Sequence, residues 1–190
     1  MNESNRMELI TIIKERSFKK GTFKLASGKT SNYYFNLKST YCHPAGNALI
    51  GDLILQIIEL NKLKVDAIGG MEIGAIPIAC SVQARGYFRN RPMFTFFVRK
   101  EKKEHGTEKQ VEGIIEDGMN VVVVEDVTTT GGSVMKAIQA IQAETKANIV
   151  AVISVLNRKE GADELFKEKG IPLYYICSIE DFDEELKKGK

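Results

Sequence analysis

Apolar residues occur along this chain mainly as short continuous runs, separated by stretches in which they recur at helical spacing. The runs are rich in β-branched or aromatic residues and do not alternate with polar ones, which is typical of strands covered on both faces. They comprise residues 65–68, 94–98, 121–124, 149–156 and 173–176. Residues 45–60 and 134–145 place large apolar side chains on one helical stripe. We therefore predict an α/β fold with a central, mostly parallel sheet flanked by helices, whose ligands bind beyond the carboxyl ends of the strands.

Two segments fall outside this alternation. Residues 1–40 begin with an amphipathic helix, on which Met7, Ile10 and Ile13 share a stripe, and continue through an aromatic stretch. This segment is predicted to form a small N-terminal hood on the sheet, within a single domain that includes all 190 residues. Residues 99–113 are too polar to bury and longer than the usual connection of about 4–6 residues, so a mobile loop is predicted there.

Composition narrows the class of protein. The chain has 27 Lys and Arg residues against 25 Asp and Glu, so its net charge is only +2 and supplies no long-range field for nucleic acid or an anionic membrane. No apolar run approaches the ~18 residues of a membrane-spanning helix, and the polar N-terminus leads into no signal-peptide core. The three cysteines form no Cys-x-x-Cys pair, which argues against a disulfide framework or a zinc site. We expect a cytoplasmic protein that binds neither nucleic acid nor membrane.

The most informative segment follows the apolar run 121–124. Two carboxylates, Glu125 and Asp126, come directly after the run, and a turn rich in hydroxyls and glycines leads into a helix that begins near Ser133. The turn consists of Val127, Thr128, Thr129, Thr130, Gly131 and Gly132. Backbone N–H groups at such a helix N-terminus can hold a phosphate, whereas the carboxylates can bind sugar hydroxyls or a cation. The pattern indicates a phosphorylated sugar or a Mg²⁺-bearing ligand, although a merely capped α/β loop has the same composition.

A nucleotide-binding P-loop is the competing interpretation of the same strand. Gly28, Lys29 and Thr30 resemble the end of a Walker A loop, and a strand ending in Glu-Asp resembles a Walker B strand. The Walker A loop requires glycine five residues before Gly28, but that position is Phe23. An aromatic stretch rather than a helix follows, so a P-loop NTPase is not favoured.

Two further segments carry candidate chemistry. Residues 68–77 contain glycines, among them Gly70, that would let the backbone approach a bulky anion, and Pro77 suits the first turn of a helix. Residues 98–106 contain four candidate catalytic side chains: Arg99, Lys100, Lys103 and His105. A balanced charge run of this kind is either a solvated loop or a lid whose cations neutralise a leaving diphosphate.

Taken together, the three segments resemble the orotate phosphoribosyltransferase family of type I phosphoribosyltransferases. The resemblance runs from about residue 18 to residue 165. It includes the order of acids, threonines and glycines after the run 121–124, and a loop with the pattern Arg-Lys-Glu-x-Lys-x-His-Gly. It further includes Phe23-x-Leu25-x-Ser27-Gly28-x-x-Ser31-x-Tyr33-Tyr34 and Leu156-Asn157-Arg158 with Gly161. The resemblance implies the type I phosphoribosyltransferase fold, with a small N-terminal hood and a mobile lid loop.

The resemblance also implies how phosphoribosyl diphosphate (PRPP) would be held. Glu125 and Asp126 would bind the 2- and 3-hydroxyls of the ribose, and the turn from Val127 to Ser133 would wrap the 5-phosphate. Gly70 would lie at the diphosphate. Mg²⁺ would be bound mainly through the substrate diphosphate rather than by a protein metal site.

The remaining implied roles concern orotate, the lid and the assembly. Four residues would contact orotate: Tyr34, Phe35, Thr129 near the pyrimidine ring, and Arg158 at the carboxylate. Lys100, Lys103 and His105 would close over the diphosphate. Arg99 and the loop would reach the site of a neighbouring subunit, because members of the family are homodimers with shared active sites.

Four positions depart from the family pattern. Position 26 is Ala26, where many members carry a lysine, and Glu72-Ile73 replaces a Tyr-Lys pair of some members. Asn157 stands where an aspartate is commoner. These differences weaken Ala26 and Glu72 as ligand positions and leave the main motif unchanged.

The implied activity is transfer of the ribose 5-phosphate of PRPP to N1 of orotate, which gives orotidine 5-phosphate and diphosphate in the biosynthesis of UMP. Two alternatives stay open from the sequence: a phosphoribosyltransferase for another base, and a PRPP-binding regulator that acts on nucleic acid. The regulator would require a basic face or an added DNA-binding segment, which a net charge of +2 does not favour.

Overall fold

A computed structural model describes residues 1–24, 30–101 and 109–187. The first part of the chain contains α1 (Glu3–Arg16), β1 (Phe18–Lys24), β2 (Thr30–Phe35), α2 (Lys38–Tyr41) and α3 (Pro44–Leu60). The middle part contains β3 (Ala67–Met71), α4 (Ala75–Phe88), β4 (Phe94–Val98), β5 (Val111–Gly113) and β6 (Asn120–Thr128). The last part contains α5 (Gly132–Glu144), β7 (Asn148–Asn157), α6 (Ala162–Glu168), β8 (Leu173–Ser178), a 3-10 helix (Ile179–Phe182) and α7 (Asp183–Lys187).

Six strands form the central sheet in the order β5-β4-β3-β6-β7-β8. Every neighbouring pair is parallel except β4 with β5, which is antiparallel at the edge. One core packs α1, α3 and α4 against the sheet, and the other packs α5 and α6 against its opposite face. Coverage on both faces explains the continuous apolar runs of the strands. The predicted α/β fold with a mostly parallel sheet flanked by helices is confirmed.

Several element boundaries differ from the predictions. β3 begins at Ala67 and runs to Met71, so Gly69 and Gly70 belong to the strand rather than to a turn after it. β6 continues past its valines to Thr128 because it stays paired with β7 over that length. Residues 111–113, predicted as part of the mobile loop, form β5. Residues 102–108 of that loop lie outside the described residues.

The N-terminal segment packs against the body of the protein through α1 and an aromatic cluster. α1 buries Leu9, Ile10, Ile12 and Ile13. The expected stripe is therefore wrong for Met7, which is 49% exposed. β1 and β2 pair as an antiparallel hairpin. Three rings join this hairpin to the C-terminal 3-10 helix, with Phe35 and Phe182 centred 4.9 Å apart and Phe18 at 5.1 Å from Phe35.

Within the described ranges, no helix has the length and apolar character needed to cross a membrane.

Close packing of backbone against backbone explains the glycines of β3. A Cβ atom on Gly69 would lie 2.0 Å from the carbonyl oxygen of Phe96 on β4. A Cβ atom on Gly70 would lie 2.2 Å from the carbonyl oxygen of Val124 on β6. Neither obstacle is a flexible side chain, so only glycine fits between these strands.

We predict that Gly69→Ala destabilises the fold by about 1–3 kcal/mol or more, because the new methyl group forces β3 and β4 apart. Urea unfolding followed by circular dichroism measures this change. Gly132→Ala is the matched control, since its Cβ would meet only the Thr130 hydroxyl at 3.7 Å and alanine favours helix. An unchanged unfolding midpoint for Gly69→Ala would contradict the packing argument.

Candidate active site

Three connections at one edge of the sheet meet through specific contacts. A Cβ atom on Gly74, in the turn after β3, would lie 2.9 Å from the carboxyl carbon of Asp126 at the end of β6. The N–H of Arg158, after β7, donates to the carbonyl of Thr128 over 2.9 Å. The carboxyl ends of neighbouring parallel strands lie on the same side of a sheet, which is where ligands bind in α/β proteins. The arrangement therefore marks this edge as the candidate active site.

The two adjacent carboxylates at the end of β6 differ in their surroundings. Asp126 is half-buried, and its Oδ1 accepts a hydrogen bond from the N–H of Val127 over 2.8 Å. Glu125 is only 8% exposed, and its Oε2 is buried without a hydrogen-bond partner among the described residues. An unpartnered buried acceptor is costly unless a donor reaches it. Hydroxyl groups of a ligand would supply such donors.

The pKa of Glu125 is raised well above its ordinary value. Burial is the first cause, and the neighbouring negative charge of Asp126 is the second. A hydrogen bond from the Ser133 side chain lowers the pKa but does not cancel these effects. The protein thus keeps two carboxylates together where one of them ionises with difficulty, and donors from a ligand would favour the charged form.

The turn after β6 forms an anion cradle at the N-terminus of α5. Gly131 adopts φ 82°, and a Cβ atom there would also lie 2.9 Å from Leu165 and from Phe166. Thr130, Gly132 and Ser133 are exposed. In the described structure no side chain caps α5, and its first turn contains no acid. Free N–H groups and the positive end of the helix dipole therefore favour a phosphate at this position.

The residues predicted to contact phosphate have different surroundings in the structure. Thr128 is 2% exposed, and its hydroxyl donates to Ser154 over 3.1 Å in the core, so its side chain does not face the cradle. Val127 packs against the same core as α3. Thr129 lies in the turn, where its carbonyl accepts from the N–H of Ala162 over 3.1 Å. Gly70, which the resemblance places at the diphosphate, is buried in β3 and packs closely against Val124 of β6.

The start of the predicted lid is anchored at two points. The N–H of Lys100 donates to Glu72 over 3.1 Å, which ties the exposed Lys100 to the turn after β3. Arg99 forms an ion pair with Glu112 on β5, with 3.2 Å between Nε and Oε1. Glu72, which departs from the family pattern, thus has a structural role. Lys103, His105 and Ala26 lie outside the described residues.

Arg158 follows β7, the strand next to the one that carries the carboxylates. Its side chain is 7% exposed, and its Nη2 lies 2.8 Å from Oε1 of Glu160. Its guanidinium carbon lies 4.9 Å from the centre of the Tyr33 ring, an arrangement typical of a cation–π contact. Its Nε is buried with no hydrogen-bond partner in the described part of the chain. A buried guanidinium with a free donor suits a carboxylate ligand.

The aromatic residues of β2 divide between its two faces. Tyr33, to which the resemblance gives no separate role, is the ring beside Arg158. Tyr34 is 41% exposed and packs against Phe23 on the other face, with 5.4 Å between ring centres. Phe35 is 6% exposed, and its ring belongs to the core. Strand alternation could have revealed this division, because residues 33 and 35 share a face.

The residue Asn157 has a definite local role. Its Oδ1 accepts a hydrogen bond from the N–H of Lys159 over 2.9 Å, and its Nδ2 donates to Asp163 over 2.9 Å. An aspartate at this position could not donate to Asp163. The asparagine therefore matches this chain's own α6 and orders the turn that carries Arg158.

A buried phenol that no sequence motif indicates lies near the carboxylates. Tyr41 is 3% exposed, and its hydroxyl has no hydrogen-bond partner among the residues described. Burial, followed by the charges of Asp126, Cys42 and Glu125, raises its pKa to about 12. The phenol therefore stays protonated near the acidic pair at neutral pH.

The described residues contain no group of three or more His, Cys, Asp or Glu side chains that could hold a metal ion. Asp126 beside the Gly74 turn is a hard oxygen donor of the kind that Mg²⁺ accepts. Mg²⁺ commonly keeps several waters and binds through one carboxylate or through substrate phosphates. Asp126 therefore fits a Mg²⁺ ion that is also bound by the phosphates of a ligand.

The sequence is similar to those of known phosphoribosyltransferases. Residues 37–175 match the sequence profile of the phosphoribosyl transferase domain. The orotate phosphoribosyltransferase of Rhodopseudomonas palustris strain BisB5 is 43% identical over 183 residues, covering 94% of this chain and 96% of that protein. The profile match includes the carboxylates, the cradle and Arg158 but not the hairpin of β1 and β2.

The fold is also similar to those of solved orotate phosphoribosyltransferase structures. The crystal structure of orotate phosphoribosyltransferase from Aeropyrum pernix aligns with a TM-score of 0.81 and 30% identity, covering 96% of this chain and 99% of that one. The Mycobacterium tuberculosis H37Rv orotate phosphoribosyltransferase in complex with 5-phospho-α-D-ribosyl 1-diphosphate aligns with a TM-score of 0.78 and 29% identity, covering 94% and 99% of the two chains. The likeness thus extends over almost the whole of each chain.

We predict that Glu125→Gln stabilises the free protein at neutral pH by about 1–3 kcal/mol, because it removes a carboxylate that is buried beside Asp126. A raised carboxyl pKa means that the folded protein holds the proton more tightly than the unfolded chain. The free energy of unfolding of the parent protein therefore falls as the pH rises above the ordinary Glu value of about 4.3.

Urea unfolding from about pH 4 to about pH 8 tests this expectation. The two proteins are expected to converge at the acid end and to separate as the pH rises. Glu116→Gln, at an exposed glutamate, is the control and is expected to follow the parent at every pH. If the free energies of unfolding of Glu125→Gln and the parent differed by the same amount at every pH, the raised pKa of Glu125 would be contradicted.

Proposed function

The chain belongs to the phosphoribosyltransferase family, and from that premise we propose that it is an orotate phosphoribosyltransferase, which forms orotidine 5-phosphate and diphosphate from PRPP and orotate. One observation supports this function most directly. A buried arginine with an unpartnered Nε lies after β7, next to the strand that carries the acidic pair and the anion cradle. These groups match the carboxylate, hydroxyls and phosphate of the two substrates.

We assign the sugar phosphate to the end of β6. The 5-phosphate is bound by N–H groups and hydroxyls of the turn from Thr129 to Ser133. Glu125 and Asp126 accept hydrogen bonds from the ribose hydroxyls, which supply the donor that Oε2 of Glu125 lacks. Contacts at both ends of the ribose fix C1 and orient the bond that breaks during transfer.

We assign the base to the turn after β7 and to the hairpin. Arg158 holds the carboxylate of orotate, and the ring of Tyr33 packs against the guanidinium group and orients it. In the reaction, the bond between C1 and the diphosphate oxygen breaks, the bond between C1 and N1 of orotate forms, and the N1 proton is released. The orientation of both substrates reduces the entropic part of the barrier.

The lid neutralises the leaving group in this proposal. Negative charge grows on the diphosphate while the ribose becomes oxocarbenium-like, so cations at the diphosphate lower the barrier. Lys100, Lys103 and His105 have this role, and closure of the loop between β4 and β5 keeps water from the activated sugar. The contact between the N–H of Lys100 and Glu72 supports a lid hinged beside the diphosphate end.

Mg²⁺ accompanies PRPP in this proposal. When bound, it neutralises the diphosphate and makes it a better leaving group. Asp126 is the side chain of the site suited to contact it, directly or through water.

We further propose a homodimer in which Arg99 and the lid of one subunit reach the site of the other. The position of Arg99 at the end of β4, paired with Glu112 on the edge strand β5, supports a role at that side of the sheet. We place the enzyme in the cytoplasm. The free cysteines, of which Cys42 and Cys80 are exposed, suit a reducing compartment.

The first prediction is that the purified protein consumes orotate in the presence of PRPP and Mg²⁺, and that adenine, hypoxanthine and uracil are poor acceptors. Ultraviolet absorbance measures the loss of each base, and chelation of Mg²⁺ is expected to stop the reaction. Consumption of a different base would reassign the acceptor. Binding of PRPP without consumption of any base would favour a regulator, which a salt-titrated DNA gel shift would then examine.

The second prediction concerns the lid. Lys103→Ala is expected to lower kcat by about 10²-fold with a smaller change in KM, because the lysine acts on charge that develops in the transition state. Lys64→Ala is the matched control: Lys64 is exposed and precedes β3, at the opposite edge of the sheet. A parent-like kcat in Lys103→Ala would remove this residue from the mechanism.

A further inference from the structure

The ion pair between Arg158 and Glu160 occupies part of the surface that a carboxylate substrate would need. Oε1 of Glu160 lies 2.8 Å from Nη2 of Arg158. The neighbouring donor on the same edge of the guanidinium, Nε, is buried without a partner in the described ranges. Nη2 on this edge is therefore paired with Glu160, whereas Nε has no partner among the described residues.

A second arginine in the same protein shows what this edge does when it is fully used. Arg85 donates from Nε to Oδ1 of Asp52 over 2.7 Å and from Nη2 to Oδ2 of the same carboxylate. Such two-point contacts are the strong form of arginine–carboxylate pairing. A ligand carboxylate that binds Arg158 in the same way needs both Nε and Nη2, so it competes with Glu160 for Nη2.

The turn that carries Glu160 holds the arginine firmly and leaves the glutamate freer. Arg158 is fixed by Tyr33 at 4.9 Å and has a side chain that is 7% exposed, whereas the side chain of Glu160 is 37% exposed. Glu160 lies between Lys159 at φ 56° and Gly161 at φ 113°, a turn that directs it back toward Arg158. Lys159 itself is anchored to Tyr175 over 2.8 Å. Glu160 is thus the member of the ion pair that can move toward solvent.

We propose that Glu160 is a specificity-determining residue that acts as an internal competitor for the substrate carboxylate at Arg158. In the free protein it neutralises a buried guanidinium, which would otherwise be destabilising. A base with a suitably placed carboxylate displaces it and gains the two-point contact. A base without a carboxylate leaves the ion pair intact. This inference rests on the proposed function, because it requires orotate to bind through Arg158.

The test compares Glu160→Gln with Glu164→Gln, which removes the same charge from an exposed position on α6. Glu160→Gln is expected to lower the KM for orotate on the order of fivefold at saturating PRPP, as expected for loss of a competing, partly exposed ion pair. The KM for PRPP, and the weak binding of uracil, are expected to stay unchanged. Glu164→Gln is expected to match the parent protein in all three measurements.

Glu160→Asp keeps the charge but shortens the side chain, so it distinguishes loss of the contact from loss of the charge. It is expected to lower the KM for orotate in the same direction as Glu160→Gln. An unchanged or raised KM for orotate in both variants would overturn the proposal, since Glu160 would then be neutral or supportive for binding.

Arg158→Gln separates this inference from the proposed function. A large loss of orotate binding in Arg158→Gln, together with no effect of the Glu160 variants, would reject the competitor and keep the proposed function. Parent-like orotate binding in Arg158→Gln would instead show that the carboxylate binds elsewhere, and the assignment of the base site would fail together with the competitor.

Discussion

The pairing of β6 with β7 is the contact on which the candidate site depends. The ladder continues beyond the apolar run of β6 as far as Thr128, which pairs with Asn157. The N–H of Arg158 then donates to the carbonyl of Thr128 and closes the ladder. This register brings the acidic pair at the end of one strand beside the arginine at the end of the next. A slip of one residue would turn the side chains of a strand to the other face of the sheet, so the sheet itself sets the geometry of the site.

The two ends of the site are incomplete in opposite ways. Among the described residues, Oε2 of Glu125 is a buried acceptor that lacks a donor, and Nε of Arg158 is a buried donor that lacks an acceptor. Each atom is costly to bury without a partner, and a ligand atom of the opposite kind would satisfy it. In the proposed function, PRPP supplies hydroxyls to Glu125 and orotate supplies a carboxylate to Arg158, so each substrate has its own place in the site. Complementary deficiencies therefore supply direction as well as affinity, which is what a transfer reaction between two substrates requires.

The sequence was sufficient for five strands of the central sheet, for α1, α3 and α5, and for the position of the acidic pair after an apolar strand, because each of these depends on local pattern. It did not predict β1, β2 or β5 as strands. It was insufficient where the answer depends on which way a residue faces. Thr128 and Gly70 belong to motif segments, yet one donates into the core and the other separates two strands. Tyr33 contacts Arg158 across more than a hundred residues of chain, a pairing that no local spacing reveals. The end of β6 was placed too early because its last residues are polar and remain in the sheet only through pairing with β7.

The site divides into a part built by the sheet and a part built with the hairpin. The carboxylates and the cradle come from β6 and α5, whose positions are set by buried strands and by the packing of Gly131 on α6. The surroundings of Arg158 require Tyr33 of the hairpin, which is joined to the body by the rings of Phe18, Phe35 and Phe182. The phosphoribosyl transferase profile matches residues 37–175 and so includes the first part but not the hairpin. With the substrates placed as we propose, sugar-phosphate binding can stay constant while the hairpin and the turn after β7 vary, and the choice of base then depends on the contacts between these two elements.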